Sequence, residues 1–483
     1  MTSTDHLRPA RPGLVLAVLG IAQLMVVLDV TIVNIALPSA QRDLGFSDDL
    51  RQWVVTAYAL AFGSLLLLGG RLGDLFGRKW TFVAGLLGLA AASAVGGAAG
   101  SFGVLVAARA AQGVFGALLA PSALALLSTT FTEPAERGKA FGIFGAIAGS
   151  GAAVGLLLGG ALTEWLTWRW CLYVNLLFAV PTAVAATRLF AGHVHRDRRR
   201  LDLLGTATAT AGLFWLVYGL AHSETHSWGD PVTLIMLGAS AVLLAAFAAI
   251  EARVPHPLLP IAVLRDRTRA GAYLALGLTY VALFAVFLFL TYFLQRTRGF
   301  SPIETGLAFL PLAVTVMGTA VVSSAVLVRR VGPRRLLVAG MLLAAAAMAW
   351  LARLTPESGY AVDVLPALLV MGVGFGSIVA PAIATATHGV AREDAGVASA
   401  MVNTMQQVGG SVGTAVLSSV FASVVSGRLD GQPPTPRLVA AATVHGYTVA
   451  FWVAAAIFAA GAMVVGATMR SVRIEPAREA IAA

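Results

Sequence analysis

The sequence predicts an all-α membrane protein: two six-helix bundles with two further helices inserted between them, fourteen transmembrane helices in all. Three observations predict it. The first is composition: of 483 residues, 58% are hydrophobic and 12% charged, roughly half the charged share of an average soluble domain. The apolar residues also come in runs that approach the ~20 needed to cross the hydrocarbon core as a helix. The second is the placement of arginine and lysine. The third is a weak repeat between the two halves.

The first span is expected over 13–37, after Arg8 and Arg11. It is too long for the apolar core of a signal peptide, and it contains Asp29 and Asn34. Spans over 52–69, 80–99, 103–126, 138–162 and 170–189 complete the first bundle, and 203–221 and 232–251 are the inserted pair. Spans over 270–293, 304–328, 336–353, 363–386, 397–424 and 447–469 make the second bundle. The domain boundaries are 1–190, 191–265 and 266–483, with polar linker pieces at 193–200 and 251–260.

With the N-terminus in the cytoplasm, 24 of the 33 basic residues fall in cytoplasmic segments, 8 on the other side, and Arg109 lies within a span. Cytoplasmic loops carry the excess of lysine and arginine. Both termini are therefore expected in the cytoplasm. The repeat supports the two-half division: a glycine and basic residues follow the second helix at 70–80 and recur at 326–336, in the corresponding place of the second half. Such halves place a binding site between them near the midplane.

The net charge of +10 reads as loop arginines on one side of a membrane, so no nucleic-acid partner is expected. One cysteine, Cys171, excludes a disulfide framework. No phosphate-binding Gly-Lys-Ser/Thr loop is present, so ATP is not the expected energy source. No nucleophile–base constellation marks an enzyme. His222, His226 and Glu224 lack a metal-ligand spacing, and no metal site is expected. Membrane lipid is the expected surrounding and a monomer the expected state. High alanine, glycine and arginine beside only Lys79 and Lys139 suggest a GC-rich bacterial genome, and so a bacterial plasma (inner) membrane.

Several residues stand out against this background. Asp29 lies deep in the first span, where a charge is costly and marks either a functional group or a structural contact with Thr31 or Asn34. Such a carboxyl could load and release a proton. Arg109 is always charged and needs an acid, carbonyls or water; a pair with Asp29 and a plain helix–helix anchor are both open. Gln112, three residues on, shares its helix face. Asp74 and Arg78 flank Gly77 four apart, at ion-pair spacing, with Gly70, Arg71 and Gly73 just before them. Gly151, Gly155, Gly159 and Gly160, with Gly149, give the fifth helix a smooth face. Asn34, Trp53, Tyr58, Gln112, Asn175, Tyr292, Gln295, Asn403 and Gln407 either line a cavity or make interhelical hydrogen bonds. Glu304 is a second acid or a loop-edge carboxylate.

These residues carry a resemblance along nearly the whole chain. The motifs are LeuAspValThrIleValAsnIleAlaLeuPro at 28–38, GlyArgLeuGlyAspLeuPheGlyArgLys at 70–79 and LeuValAlaAlaArgAlaAlaGlnGlyValPheGlyAla at 105–117. GluArgGlyLysAla at 136–140, TrpArgTrp at 168–170 and Asn403 with Gln407 before GlyGlySerValGly at 409–413 follow in order. The sequence resembles the fourteen-helix drug:proton antiporter branch of the major facilitator superfamily, known for multidrug efflux. The resemblance implies the major facilitator fold and export of lipophilic drugs or antibiotics by alternating access. It implies a proton as coupling ion with no other cofactor, coupling through Asp29 and Arg109, and a cytoplasmic latch at Gly70, Arg71, Gly73, Asp74, Gly77 and Arg78. It makes the glycines of the fifth helix an antiporter motif that seals or rocks between halves. Leu156 and Leu177 stand where the family pattern has proline, and Leu75 replaces a basic position. A native-metabolite transporter of the same fold and a non-transporting receptor are the alternatives.

Overall fold

The computed structural model describes residues 12–190, 202–225, 228–254, 257–259, 261–430 and 435–470. Arg8, Arg11, the linker arginines at 196–200, His226, Arg473 and Arg478 lie outside the described residues. Fourteen helical rods follow one another among them. The first eight are α1 (Pro12–Leu44), α2 (Asp48–Phe76), α3 (Arg78–Gly97), α4 (Phe102–Thr130), α5 (Pro134–Trp165), α6 (Trp170–Leu189), α7 (Leu203–Thr225) and α8 (Pro231–Glu251). After a single turn at Ile261–Arg265 come α9 (Arg267–Thr297), α10 (Ile303–Val331), α11 (Pro333–Leu351), α12 (Tyr360–Ala386), α13 (Ala395–Leu429) and α14 (Pro436–Thr468). Thirteen of the rods are long and apolar enough to cross a membrane. The other, α5, is 32 residues long and packs along α1.

Local chemistry starts these helices where the sequence allows it. The side chain of Asp230 accepts from the backbone of Val232 and Thr233, with Pro231 in the first turn. Proline there costs nothing, because that N–H has no helical partner. Ser301 and Glu304 form a reciprocal capping box, so Glu304 is a loop-edge carboxylate. Pro38, Pro121, Pro181 and Pro381 lie inside helices, which membrane helices tolerate where neighbours re-satisfy the freed carbonyl. Leu177 is 64% exposed and stands on the outer surface of α6, which continues unbroken to Leu189.

Packing groups α1–α6 with one another, α7 with α8, and α9–α14 with one another. Two lines join the first group to the last: α5 against α10 and α12, and α2 with α4 against α13. The α7–α8 hairpin leans on α2 and α13.

One expected boundary moves. The second helix was expected to end near residue 69, with 70–79 as a loop, yet α2 continues through Phe76 and only Gly77 turns the chain. Gly70 and Gly73 weaken a helix without ending it, and Arg71 is 2% exposed, so burial carries the helix on. Arg71 therefore joins Arg109 as a buried cation within a helix.

Candidate functional site: a buried Asp29–Arg109 network and a seam between halves

Asp29 is completely buried in α1. An isolated charge in such a setting is expensive, and it persists only with partners. The partners come from two other helices. Arg109 Nη1 of α4 lies 3.0 Å from Asp29 Oδ2. Gln112 Nε2, also of α4, donates to Oδ1 at 2.8 Å, and Asn175 Nδ2 of α6 donates to the same oxygen at 2.7 Å. Arg109 further donates to the Val54 carbonyl at 3.1 Å and to Gln112 Oε1 at 3.0 Å. The ring of Tyr58 lies under its guanidinium, 4.5 Å away, a cation–π contact in a dry site.

The pairing left open by the sequence is thus present in the structure. Gln112 and Asn175, considered for a cavity, are instead fully buried at the carboxylate. Ser93 of α3 completes the cluster, accepting from Gln112 Nε2 at 2.7 Å and from Asn175 Nδ2 at 3.1 Å. Sequence reasoning missed it. A serine in an apolar helix usually bonds its own preceding turn, and nothing local distinguishes Ser93 from those.

The second cluster lies at the end of the bundle where α2 turns into α3. Arg78 donates to Asp74 Oδ1 through Nε at 3.1 Å and Nη2 at 2.8 Å. Across the seam, the backbone N–H groups of Gly396 and Val397, at the start of α13, donate to Asp74 at 3.1 and 3.3 Å. A helix N-terminus carries unpaired N–H groups and partial positive charge, so it holds an anion well. Gly77 makes the turn with φ 95°, a conformation that side chains avoid. Gly70 lies against the Gly396 carbonyl and Ala400, where a Cβ would not fit, and Gly73 sits by Ser122 Oγ. Beside this seam Arg137 of α5 donates to Thr387 Oγ1, beyond α12, at 3.2 Å and to the Ser128 carbonyl at 3.1 Å.

The glycines of α5 divide by neighbour. Gly151, Gly155 and Gly159 face Val27, Thr31 and Ile32 of α1, within the first group. Gly138, Gly142 and Gly145 face Ser324, Val321 and Ala380 across the seam. Gly149 faces Val316, and Gly160 stands near Ile303. The smooth face expected between halves therefore begins earlier in α5 than the motif glycines, most of which serve the α1 contact.

The other polar candidates do not converge. Trp53 packs its ring 5.8 Å from that of Tyr218 on α7. Asn403 donates to the Ser399 carbonyl on its own helix. Gln407 reaches Gly63 on the α2–α13 line. Tyr292 is half-exposed under Arg296, and Gln295 is half-buried. Asn34 lies in α1, and its side chain is outside the described residues. A shallow apolar groove of about 450 Å³ between α2 and α7, bordered by Leu65, Leu68, Ala211 and Phe214, takes in none of them. Amides in an apolar bundle find partners on neighbouring helices first, which explains the scatter.

At the far end the TrpArgTrp segment acts as a staple. Arg169 pairs with Asp43 at 3.0 Å and donates to the carbonyls of Gly97 and Ala99, while Trp168 Nε1 donates to Asp43 at 3.0 Å. The ends of α1, α3 and α6 are tied at one point. Among the described residues no group of histidine, cysteine and acidic side chains could hold a metal ion.

The Major Facilitator Superfamily model matches residues 19–414. This chain belongs to that superfamily. It is a multi-pass membrane transporter, not an enzyme, with the major facilitator fold. It is 50% identical to the puromycin resistance protein pur8 of Streptomyces alboniger, over 96% of this chain and 92% of that protein. It is 40% identical to the cephamycin export protein CmcT of Amycolatopsis lactamdurans, over 88% of this chain and 87% of that one. The tetracenomycin C resistance and export protein of Streptomyces glaucescens is 35% identical, over 86% of this chain and 77% of that one. Among solved structures the human organic anion transporter MFSD10 superposes with a TM-score of 0.62, covering 94% of this facilitator and 99% of that chain at 15% identity. That likeness shows the shared fold.

Proposed function

We propose that this facilitator exports a lipophilic antibiotic or drug in exchange for protons. The observation that carries the coupling is the Asp29–Arg109 pair, a carboxylate with no access to solvent held against a permanent cation. A proton arriving from outside neutralises Asp29, frees Arg109 from its counter-charge and changes which packing of the halves is favoured. Substrate, taken from the cytoplasm or inner leaflet, favours the opposite packing. Exchange requires that each ligand bind the two states unequally. The Asp74 contact with the start of α13 and the Arg137 contact with Thr387 are the latch that breaks when the halves rock. The cargo class rests on the similarity to puromycin, cephamycin and tetracenomycin C resistance or export proteins.

In this reading the protein sits in a bacterial plasma (inner) membrane as a monomer. Both termini and the Gly77 end face the cytoplasm, a placement that the arginine asymmetry supports. The proton is the only coupling ion, no further cofactor takes part, and the partners are substrate and lipid, not nucleic acid. The test is reconstitution in vesicles under an imposed pH gradient, with puromycin as the first substrate and Asp29→Asn beside the wild type. Puromycin-dependent proton movement that vanishes in Asp29→Asn is the expected result. Transport without proton movement, or coupling that survives the substitution, would remove Asp29 from this role.

A further inference from the structure

We propose that Ser93, Gln112 and Asn175 are positioning residues that direct the coupling proton to Oδ2 of Asp29, so that loading the proton and releasing Arg109 are one event. The proposal rests on the reading of Asp29 as the proton site. It goes beyond that reading by assigning the proton to one oxygen and giving three neutral side chains a task.

Hydrogens decide which oxygen takes the proton. Each side-chain amide nitrogen carries two. Gln112 Nε2 gives one to Asp29 Oδ1 at 2.8 Å and one to Ser93 Oγ at 2.7 Å. Asn175 Nδ2 gives one to the same Oδ1 at 2.7 Å and one to the same Oγ at 3.1 Å. The four atoms close a ring, and all four amide hydrogens are used. Two of them point at Oδ1. A proton added to that oxygen would face N–H groups and find no acceptor.

Turning an amide over would supply an acceptor, but the structure resists both turns. Gln112 Oε1 accepts from Arg109 Nη1 at 3.0 Å, so reversal would set an NH2 group against a guanidinium. Asn175 Oδ1 is buried with no hydrogen-bond partner. Reversal there would trade one unsatisfied acceptor for two unsatisfied donors. Ser93, by accepting from both amides, holds them in the orientation that suits an ionised Asp29.

Oδ2 is left: it accepts from one side-chain donor, Arg109 Nη1 at 3.0 Å, against two at Oδ1, and that donor has other acceptors to turn to, whereas the two amides are locked. A proton on Oδ2 removes the negative charge and puts an O–H where the guanidinium donates. Arg109 keeps the Val54 carbonyl, Gln112 Oε1 and the backbone carbonyl of Asp29, 3.3 Å from Nη1, as acceptors, so it stays anchored when it lets go of the carboxyl group. The groups facing Asp29 from the helices packed on it are few. Arg109 comes from α4 and Tyr58, beneath the guanidinium, from α2. Ser93 of α3 and Asn175 of α6 are neutral, and α5 presents Gly151 and Gly155 to α1.

The experiment follows the C=O stretch of protonated carboxyls by infrared difference spectroscopy while purified protein is titrated. Wild type is compared with Asp29→Asn, Ser93→Ala, Ser93→Thr and Asn175→Leu. A band that titrates in wild type and disappears in Asp29→Asn identifies the Asp29 proton; if no band depends on Asp29, the underlying reading fails and the proposal with it. Given that band, its midpoint is expected to move to higher pH by about one unit in Asn175→Leu, which removes a donor from the carboxylate. It moves the same way in Ser93→Ala, where the amides are free to turn, and returns to the wild-type value in Ser93→Thr, which restores the hydroxyl. Midpoints equal to wild type in both Ser93→Ala and Asn175→Leu would overturn the proposal while leaving Asp29 as the proton site. A loss of packing alone lowers the thermal midpoint without moving the titration. Ser93→Ala, the small change, keeps the test readable if Asn175→Leu folds poorly.

Discussion

At Gly77 and at Gly332 the chain makes the same turn, with φ 95° and 83°, at the same junction of each half. Three residues earlier the halves part. The first has Asp74, held by Arg78 and by the start of α13; the second has Arg329, exposed and without any such contact. The difference extends through the bundles. Among the described residues the buried charged side chains are Asp29, Arg71, Asp74, Arg109 and Glu251, all in the first six helices or the inserted hairpin. The second half buries hydroxyls, Asn403 and a phenylalanine-rich core that includes Phe289, Phe375, Phe451 and Phe458. It also contains π-helical turns at Val286–Leu290, Phe293–Thr297, Ser323–Leu327 and Tyr360–Val364. Such turns loosen the regular ladder and frequently occur at functional positions. The two halves share a backbone plan, while the buried ionic chemistry is confined to the first half and the inserted hairpin.

The largest effect that tests this asymmetry is at the buried pair. Asp29→Asn leaves Arg109 as an unpaired buried cation and is expected to cost about 3–5 kcal/mol of stability. Asp29→Asn combined with Arg109→Gln should recover part of that loss, measured as thermal unfolding in detergent. If the double variant is no more stable than the single one, the pair is not the dominant constraint at this site.

Next in size are the glycines of α5. Gly145→Val drives a side chain into Ala380 across the seam, whereas Gly155→Val drives one into Thr31 within the first half. Overpacking of this kind costs roughly 1–3 kcal/mol. Gly145→Val is expected to abolish transport in protein that remains folded, and Gly155→Val to lower thermal stability first. Equal transport and stability in the two variants would erase the distinction between seam and interior.

At the turns themselves, Asp74→Asn weakens charge-assisted bonds and is expected to cost about 1–2 kcal/mol. It should also raise the labelling rate of a cysteine introduced at Ala400. The matching change Arg329→Asp should fall within about 0.5 kcal/mol of wild type, as exposed substitutions do. A large effect at Arg329 would mean that the second turn has a latch of its own.

The smallest effect concerns pH. Partial desolvation among neighbouring helix ends, with the cations Arg137 and Arg269 nearby, holds the imidazole of His388, which is exposed just past α12, below its ordinary value in the folded protein. The unfolded chain then binds more protons, so this contribution is present above the unfolded value near ~6.5 and is lost as pH falls through the lowered one. Thermal stability of wild type should therefore fall between neutral and mildly acid pH slightly more than that of His388→Gln. Identical profiles would show that the histidine does not report on the Arg137 side of the seam.

Much of this architecture was legible in the sequence because its causes are additive along the chain. Long apolar stretches and the bias of basic residues predict spans and their number without knowledge of neighbours. Asp29 and Arg109 were legible for a similar reason: a charge within an apolar run is conspicuous, whatever surrounds it. The full run of α2 to Phe76 was less so, since the glycines at 70 and 73 read as a loop until burial of Arg71 against neighbouring helices is known.

Apolar runs and charge placement are enough to make this chain a two-half bundle of membrane helices with an acid and a base inside its first half. What those charges meet depends on how the helices pack. Ser93, Gln112 and Asn175 lie on three different helices, and their closure around Asp29 Oδ1 depends on rotations and heights that no local signal encodes. The division of α5 glycines between α1 and the seam has the same origin: glycine is identical in the sequence on either face, and its meaning is set by whatever packs against it.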